Sequence, residues 1–300
     1  MAQRGRPKGS KNKPKFGMVP SGTPVVGMYT TALPIIPTET DEQIDKRIRG
    51  RFQVVTEMTK DALAGKVRCL IISGPAGMSK SFTVEAIIKA ADPDRKKSII
   101  CKGFARATGL YKTLYNYKMP RMVTVFDDCD SVFLDQDALN ILKAACDTTE
   151  DRTIFWGAET TMTTENGEQM PTIFSYEGVI IFLTNYDMEE AIERNVALTP
   201  HFQAFMSRAH YIDIGLKSIR DYIIRIKQIV EEDGMLRDLG FEPAEEKEIL
   251  DFIRANSEPC MKFRELTLRL VKKIADLYRA RPTRWKEIAA VTLFKKGMDL

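Results

Sequence analysis

Residues 67–90 read VRCLIISGPAGMSKSFTVEAIIKA and hold three patterns in succession. Val67-Arg68-Cys69-Leu70-Ile71-Ile72-Ser73-Gly74 has the length and apolar content of a buried strand. Pro75-Ala76-Gly77-Met78-Ser79-Lys80-Ser81 has the glycine, proline and serine of a tight loop. Phe82 to Ala90 then reads as a helix. Strand, glycine loop ending in Lys-Ser, and helix are the context of a phosphate-binding loop, G-x-x-x-x-G-K-[ST]. The backbone N–H groups of such a loop and the open helix N-terminus present donors and partial positive charge to an anion. Lys80 is expected at the β- and γ-phosphates and the Ser81 hydroxyl on Mg2+. Gly74, Lys80 and Ser81 satisfy the pattern, whereas Ser79 stands where the second glycine belongs. Glycine there lets the backbone approach phosphate without a Cβ. Serine is expected to fit with negative φ, at some cost to nucleotide binding.

A second motif supports the first. Met122-Val123-Thr124-Val125-Phe126-Asp127-Asp128 is an apolar and β-branched run ending in two carboxylates. Such a strand delivers acids to the C-terminal edge of a parallel sheet, where ligands bind in open α/β sheets. Asp127 is expected to hold Mg2+ directly or through water. Asp128 is expected to orient and deprotonate an attacking water, although glutamate is the commoner residue there.

The 300 residues suffice for one large or two modest domains with a sizeable core. Hydrophobic residues make up 44% and charged residues 29%, as in an ordinary globular protein. No apolar run reaches the roughly 18 residues a membrane helix needs, so no membrane partner is expected. The N-terminus is basic without an apolar segment, unlike a secretory signal. The five cysteines form no C-x-x-C pair and read as reduced thiols in a cytoplasmic compartment. The net charge of +4 is unevenly placed. Arg4, Arg6, Lys8, Lys11, Lys13 and Lys15 precede the first acid, Glu39. The remainder has 39 basic against 41 acidic residues, so its charge gives no reason to expect nucleic acid.

Residues 1–38 read as a disordered basic tail and linker, too poor in apolar content to offset ordering entropy. Arg4-Gly5-Arg6-Pro7-Lys8, flanked by lysines, resembles an AT-hook. Such a segment lies in the narrow minor groove of A·T-rich duplex DNA. A generic polyanion-binding tail is the alternative, and nucleic acid is the expected partner of both. Thr40 with Gln43 forms a capping box, and Ile44, Ile48, Phe52, Val55 and Met58 keep helical spacing up to about Gly65. Residues 39–215 then alternate strand and helix. Strands are expected at 98–104, 122–128, 179–185 and 210–214, and helices at 109–117 and 138–146. This argues an α/β domain with a parallel sheet covered on both faces. Residues 153–158 and 171–176 are β-like and flank Asn166-Gly167, a hairpin turn signal. Residues 216–300 read as a small all-helical domain, with helices at about 217–231, 244–256, 261–280 and 284–297.

Over about residues 40–280 the chain resembles the AAA+ ATPases. The resemblance rests on Gly74-Pro75-Ala76-Gly77-Met78-Ser79-Lys80-Ser81, Val123 to Asp128, Leu183-Thr184-Asn185 and Ser207-Arg208, in that order. The compact size, hairpin insert and divergent loop look like members encoded by bacteriophages, which implies the cytoplasm of a host. The resemblance implies a parallel-sheet nucleotide-binding core followed by a helical lid, and ATP with Mg2+ as cofactors. Asn185 matches sensor 1, which aligns the attacking water. Arg208 matches the arginine finger that reaches a neighbouring subunit's γ-phosphate, with Arg194 as a rival. Arg264 matches sensor 2 by position, with Lys262 as a rival.

These assignments imply hydrolysis between subunits of a homo-oligomeric ring or spiral of about five to seven copies. Asp128 activates water, Arg208 of the next copy stabilises developing charge, and the work falls on DNA or a DNA-bound complex. A second reading is a DNA-binding scaffold gated by ATP with little turnover, favoured by Ser79 and Asp128. A protein remodeller is a third. Its aromatic pore loop would come from Tyr111, Tyr115 and Tyr117, although these fit an ordinary helix better.

Overall fold

The computed structural model describes residues 39–157, 162–164, 167–194 and 196–300. The hook residues Arg4, Gly5, Arg6, Pro7 and Lys8, and Asn166 of the turn signal, lie outside the described residues. The chain opens with α1 (Asp41–Leu63), whose Thr40 and Gln43 form the expected capping box. Next come β1 (Cys69–Ser73), α2 (Lys80–Ala91), β2 (Ser98–Lys102), α3 (Ala107–Asn116), β3 (Val123–Asp127) and α4 (Gln136–Ala145). A ribbon of β4 (Thr153–Phe155) and β5 (Ile173–Ser175) precedes β6 (Val179–Thr184), α5 (Met188–Glu193), α6 (Thr199–Met206) and β7 (His210–Asp213).

Five strands form one sheet in the order β2-β3-β6-β1-β7, with every neighbouring pair parallel. Side chains alternate across it. Leu70 and Ile72 of β1 join the apolar cluster on one face, and Cys69 and Ile71 join the cluster on the other. Burial on both faces is why these strands read as unbroken apolar runs. The antiparallel ribbon turns Ile154 and Phe174 inward and leaves Phe155 and Ile173 exposed. Tyr111 packs edge-on against Phe174 at 5.1 Å, and Tyr115 does so at 5.3 Å, so both tyrosines serve an ordinary helix–ribbon contact.

The C-terminal part is helical. It holds α7 (Ile219–Lys227), continued by a π-turn over Gln228–Glu232, then α8 (Pro243–Ala255), α9 (Leu268–Ala280) and α10 (Trp285–Leu293). The expected helix over 261–280 begins only at Leu268. Before it, Phe263 bridges to Phe294, and Thr267 caps the helix by accepting from the Leu270 N–H. No helix among the described residues is long and apolar enough to cross a membrane.

Candidate functional site

Register brings the site together. Ser73 lies level with Thr184 of β6, and Asp127 level with Leu183. The chain therefore leaves β1 at Gly74, β3 at Asp128 and β6 at Asn185 on one edge of the sheet. Gly74 is dictated by close approach: a Cβ there would sit 2.2 Å from Ile214 Cγ1. Gly77 takes φ +70, with Thr267 Cβ 3.0 Å from where its own would be. Met78 is buried in the core and anchors the loop.

The expectation of negative φ at Ser79 is overturned. Ser79 takes φ +74 and ψ +8, the left-handed conformation that a glycine would adopt freely. This costs a residue with a Cβ about 1–2 kcal/mol. An offset is visible: Arg225 of α7 donates to Ser79 Oγ at 2.6 Å. A hydrogen bond to a charged group contributes about 1.5–3 kcal/mol, enough to hold serine in this conformation. Ser79 makes no side-chain cap, and the first turn of α2 has no acid. Its leading N–H groups are thus left without a side-chain cap, the arrangement that suits an anion.

Lys80 is buried and donates to Gly74 O at 2.6 Å, Pro75 O at 2.9 Å and Asn185 Oδ1 at 2.8 Å. Burial pushes its pKa down to about 8, against the pull of Asp128, Asp127 and Asp130. Asn185 donates in turn to Asp128 Oδ1 at 2.8 Å. Ser81 Oγ donates to Asp127 Oδ1 at 2.7 Å, and Lys102 lies 3.4 Å from Asp127 Oδ2. Lysine, asparagine, hydroxyl and two carboxylates thus form two short chains across three strand ends. Asp128 itself takes φ +53, a strained conformation for a residue with a Cβ.

Asp130, which the sequence reading passed over, accepts from Thr184 Oγ1 at 2.6 Å, and Thr184 Oγ1 accepts from the Tyr186 N–H at 2.9 Å. These bonds brace the turn that carries Asn185. Burial raises the Asp130 pKa.

A cleft of about 420 Å3 opens over this edge. Ser79, Lys80, Ser81, Asp128 and Asn185 form its floor, and Ile229, Met235 and Leu239 from the helical region add apolar surface beside Asp233 and Asp238. That volume and mixture suit a ligand with an apolar ring and an anionic end. Ser81 and Asp127 supply the hydroxyl and carboxylate oxygens that suit Mg2+, which takes few protein ligands beside phosphate and water.

Two predicted residues stand elsewhere. Arg264 donates to Thr292 O at 2.9 Å on α10 and does not line the cleft. Arg269 and Lys272, on the first turns of α9, do line it. The sequence reading missed both because helix spacing alone does not reveal where α9 starts. Arg208 follows α6, donating to Ala204 O at 2.6 Å and to Asp147 Oδ2 at 3.3 Å, and does not line the cleft. Its rival Arg194 pairs with Glu190.

Over 252 residues the chain is 32% identical to a protein of Enterobacteria phage T4, described as an uncharacterized 36.7 kDa protein in the nrdC-mobD intergenic region. The match spans 84% of this chain and 76% of that protein. The chain belongs to that protein's family. No family model matches it. Among solved structures, a point mutant of Thermotoga maritima RuvB is 13% identical, with TM-score 0.42, covering 83% of this chain and 68% of that one. Domain III of the Thermotoga maritima replication initiation protein DnaA is 12% identical, with TM-score 0.47, covering 87% and 99%. Likenesses so distant add nothing to the strand order and loop geometry of this family member.

Proposed function

We propose that the chain is an AAA+ ATPase that binds Mg-ATP in this cleft and couples its hydrolysis to work on DNA or a DNA-bound complex. The observation that carries the reading is the convergence of Lys80, Ser81, Asp127, Asp128 and Asn185 on one sheet edge beneath a ligand-sized cleft. Lys80 and the loop amides hold the phosphates. Ser81 and Asp127 hold Mg2+, which when bound neutralises phosphate charge. Asp128 accepts the proton of the attacking water, and Asn185 aligns that water. Arg269 takes the position first expected of Arg264, on the helical side of the phosphates. Arg208 serves the neighbouring protomer, so hydrolysis requires a ring or spiral of copies. Arg4-Gly5-Arg6-Pro7-Lys8 engages A·T-rich duplex and tethers the assembly, in the cytoplasm of a phage-infected host.

Steady-state ATP hydrolysis by the purified chain, with and without duplex DNA and beside Lys80→Ala, tests this. Lys80-dependent turnover stimulated by DNA is expected. Nucleotide binding without turnover would support the second reading, an ATP-gated DNA scaffold. The short Asp128 side chain, strained in its backbone and engaged by Asn185, favours that outcome.

A further inference from the structure

Arg225 is a buried charge in contact with the phosphate loop. Its side chain is buried, with the residue 7% exposed. The guanidinium lies 3.5 Å from the centroid of the Phe52 ring on α1. One terminal nitrogen donates to Ser79 Oγ, and the other donates at 3.0 Å to Gln228 Oε1 at the start of the π-turn. Gln228 in turn donates to Asp45 Oδ1 at 2.8 Å. Arg225 Nε has no hydrogen-bond partner, and the carboxylates whose charge reaches this guanidinium, Asp233 and Glu232, make no ion pair with it among the described residues. A buried cation without a paired anion is costly, so its place beside an anion-binding loop calls for an explanation.

The residue it grips is the left-handed Ser79, directly before Lys80. Four residues beyond Arg225, Ile229 lines the cleft wall. We propose that Ser79 and Arg225 form a latch that transmits occupancy of the phosphate loop to α7, the first helix of the lid. The inference rests on the nucleotide-binding reading and extends it to a positioning residue. Phosphate entering the loop brings negative charge towards the unpaired guanidinium and draws the loop around itself. Arg225 follows its acceptor, and α7 with the π-turn follows Arg225. Serine, unlike glycine, supplies a hydroxyl for the lid to hold, at the cost of a strained left-handed backbone. A further tie between loop and lid, from the Leu268 N–H to Gly77 O at 3.0 Å, is made by backbone atoms and survives side-chain changes.

Two variants separate the latch from simple packing. Ser79→Gly keeps a left-handed loop without strain but lacks the hydroxyl. Arg225→Lys keeps the charge but loses the two-pronged grip. Hydrogen exchange of α7 amides is measured in the full chain with and without Mg2+ and ATPγS, each variant being saturated as judged by a fluorescent-nucleotide titration. In the wild type, nucleotide is expected to slow α7 exchange by about tenfold, within the usual span of coupling between sites. In each variant the slowing should shrink to under about twofold, and the double variant should add nothing further. Wild-type-like slowing in saturated Ser79→Gly would overturn the latch. Exchange in α7 that stays flat in a wild type binding nucleotide would overturn it too. Absence of Lys80-dependent binding in the wild type would instead overturn the nucleotide reading, and the latch with it.

Discussion

Lys80 carries the most direct consequence at the scale of single residues. Its ammonium donates to backbone carbonyls, and burial holds its pKa down at about 8. Phosphate favours the protonated form, so this pKa rises on binding. Binding therefore takes up a proton at pH values above about 8, and affinity falls as pH increases, by up to about tenfold per unit. Nucleotide titrations at pH 7.5 and 9.5 measure the effect. Lys80→Arg, which keeps its charge, should flatten the profile. These loop residues could be read from sequence because a motif fixes their spacing and their chemistry together. Arg225 could not, because it is brought to Ser79 from 146 positions away by packing alone. A faint signal existed: Arg225 falls between Tyr222 and Ile229 on the buried side of an amphipathic helix.

Helices and strands set which charges reach the cleft. The α9 helix starts at Leu268, where Thr267 caps it, while Phe263 before it is held to Phe294 at the end of α10. That start puts Arg269 and Lys272 on the cleft and leaves Arg264 against α10. Arg269→Ala should weaken nucleotide binding about 10- to 100-fold, the usual range for a charged hydrogen bond. Arg264→Ala should change it by less than about twofold, and isothermal titration of both variants makes the comparison. Arg208 sits between α6 and β7, outside its own cleft. Mixing Arg208→Ala protomers with Asp128→Asn protomers should restore part of the ATPase rate if the finger acts in trans. No recovery across mixing ratios would remove Arg208 from that role. The sheet strands were readable because burial on both faces leaves long apolar runs. Helices α5 and α6 were not, since six and eight residues are too few to establish a period.

At the scale of the whole molecule, charge divides the chain. Six basic residues precede Glu39, and the rest is close to neutral. Removing residues 2–15 should abolish most duplex binding at moderate salt while leaving ATP binding in place. Binding of the full chain should fall with a logarithmic salt slope of about −5, as six phosphate contacts require. Unchanged DNA affinity in the truncated chain would dismiss the tail. The apolar interior, by contrast, is shared. One cluster runs from Ile48 and Phe52 of α1 through Leu70 and Ile72 of β1 to Ile226, Ile253, Leu270 and Ile274 of the helical region. Melting the last four helices would uncover α1, on which α7 packs and which itself covers one face of the sheet, and melting the sheet with α1 would strip their shared cluster from those helices. Differential scanning calorimetry of the full chain should therefore show a single cooperative endotherm. Expressed alone, residues 216–300 should lack a melting transition of their own.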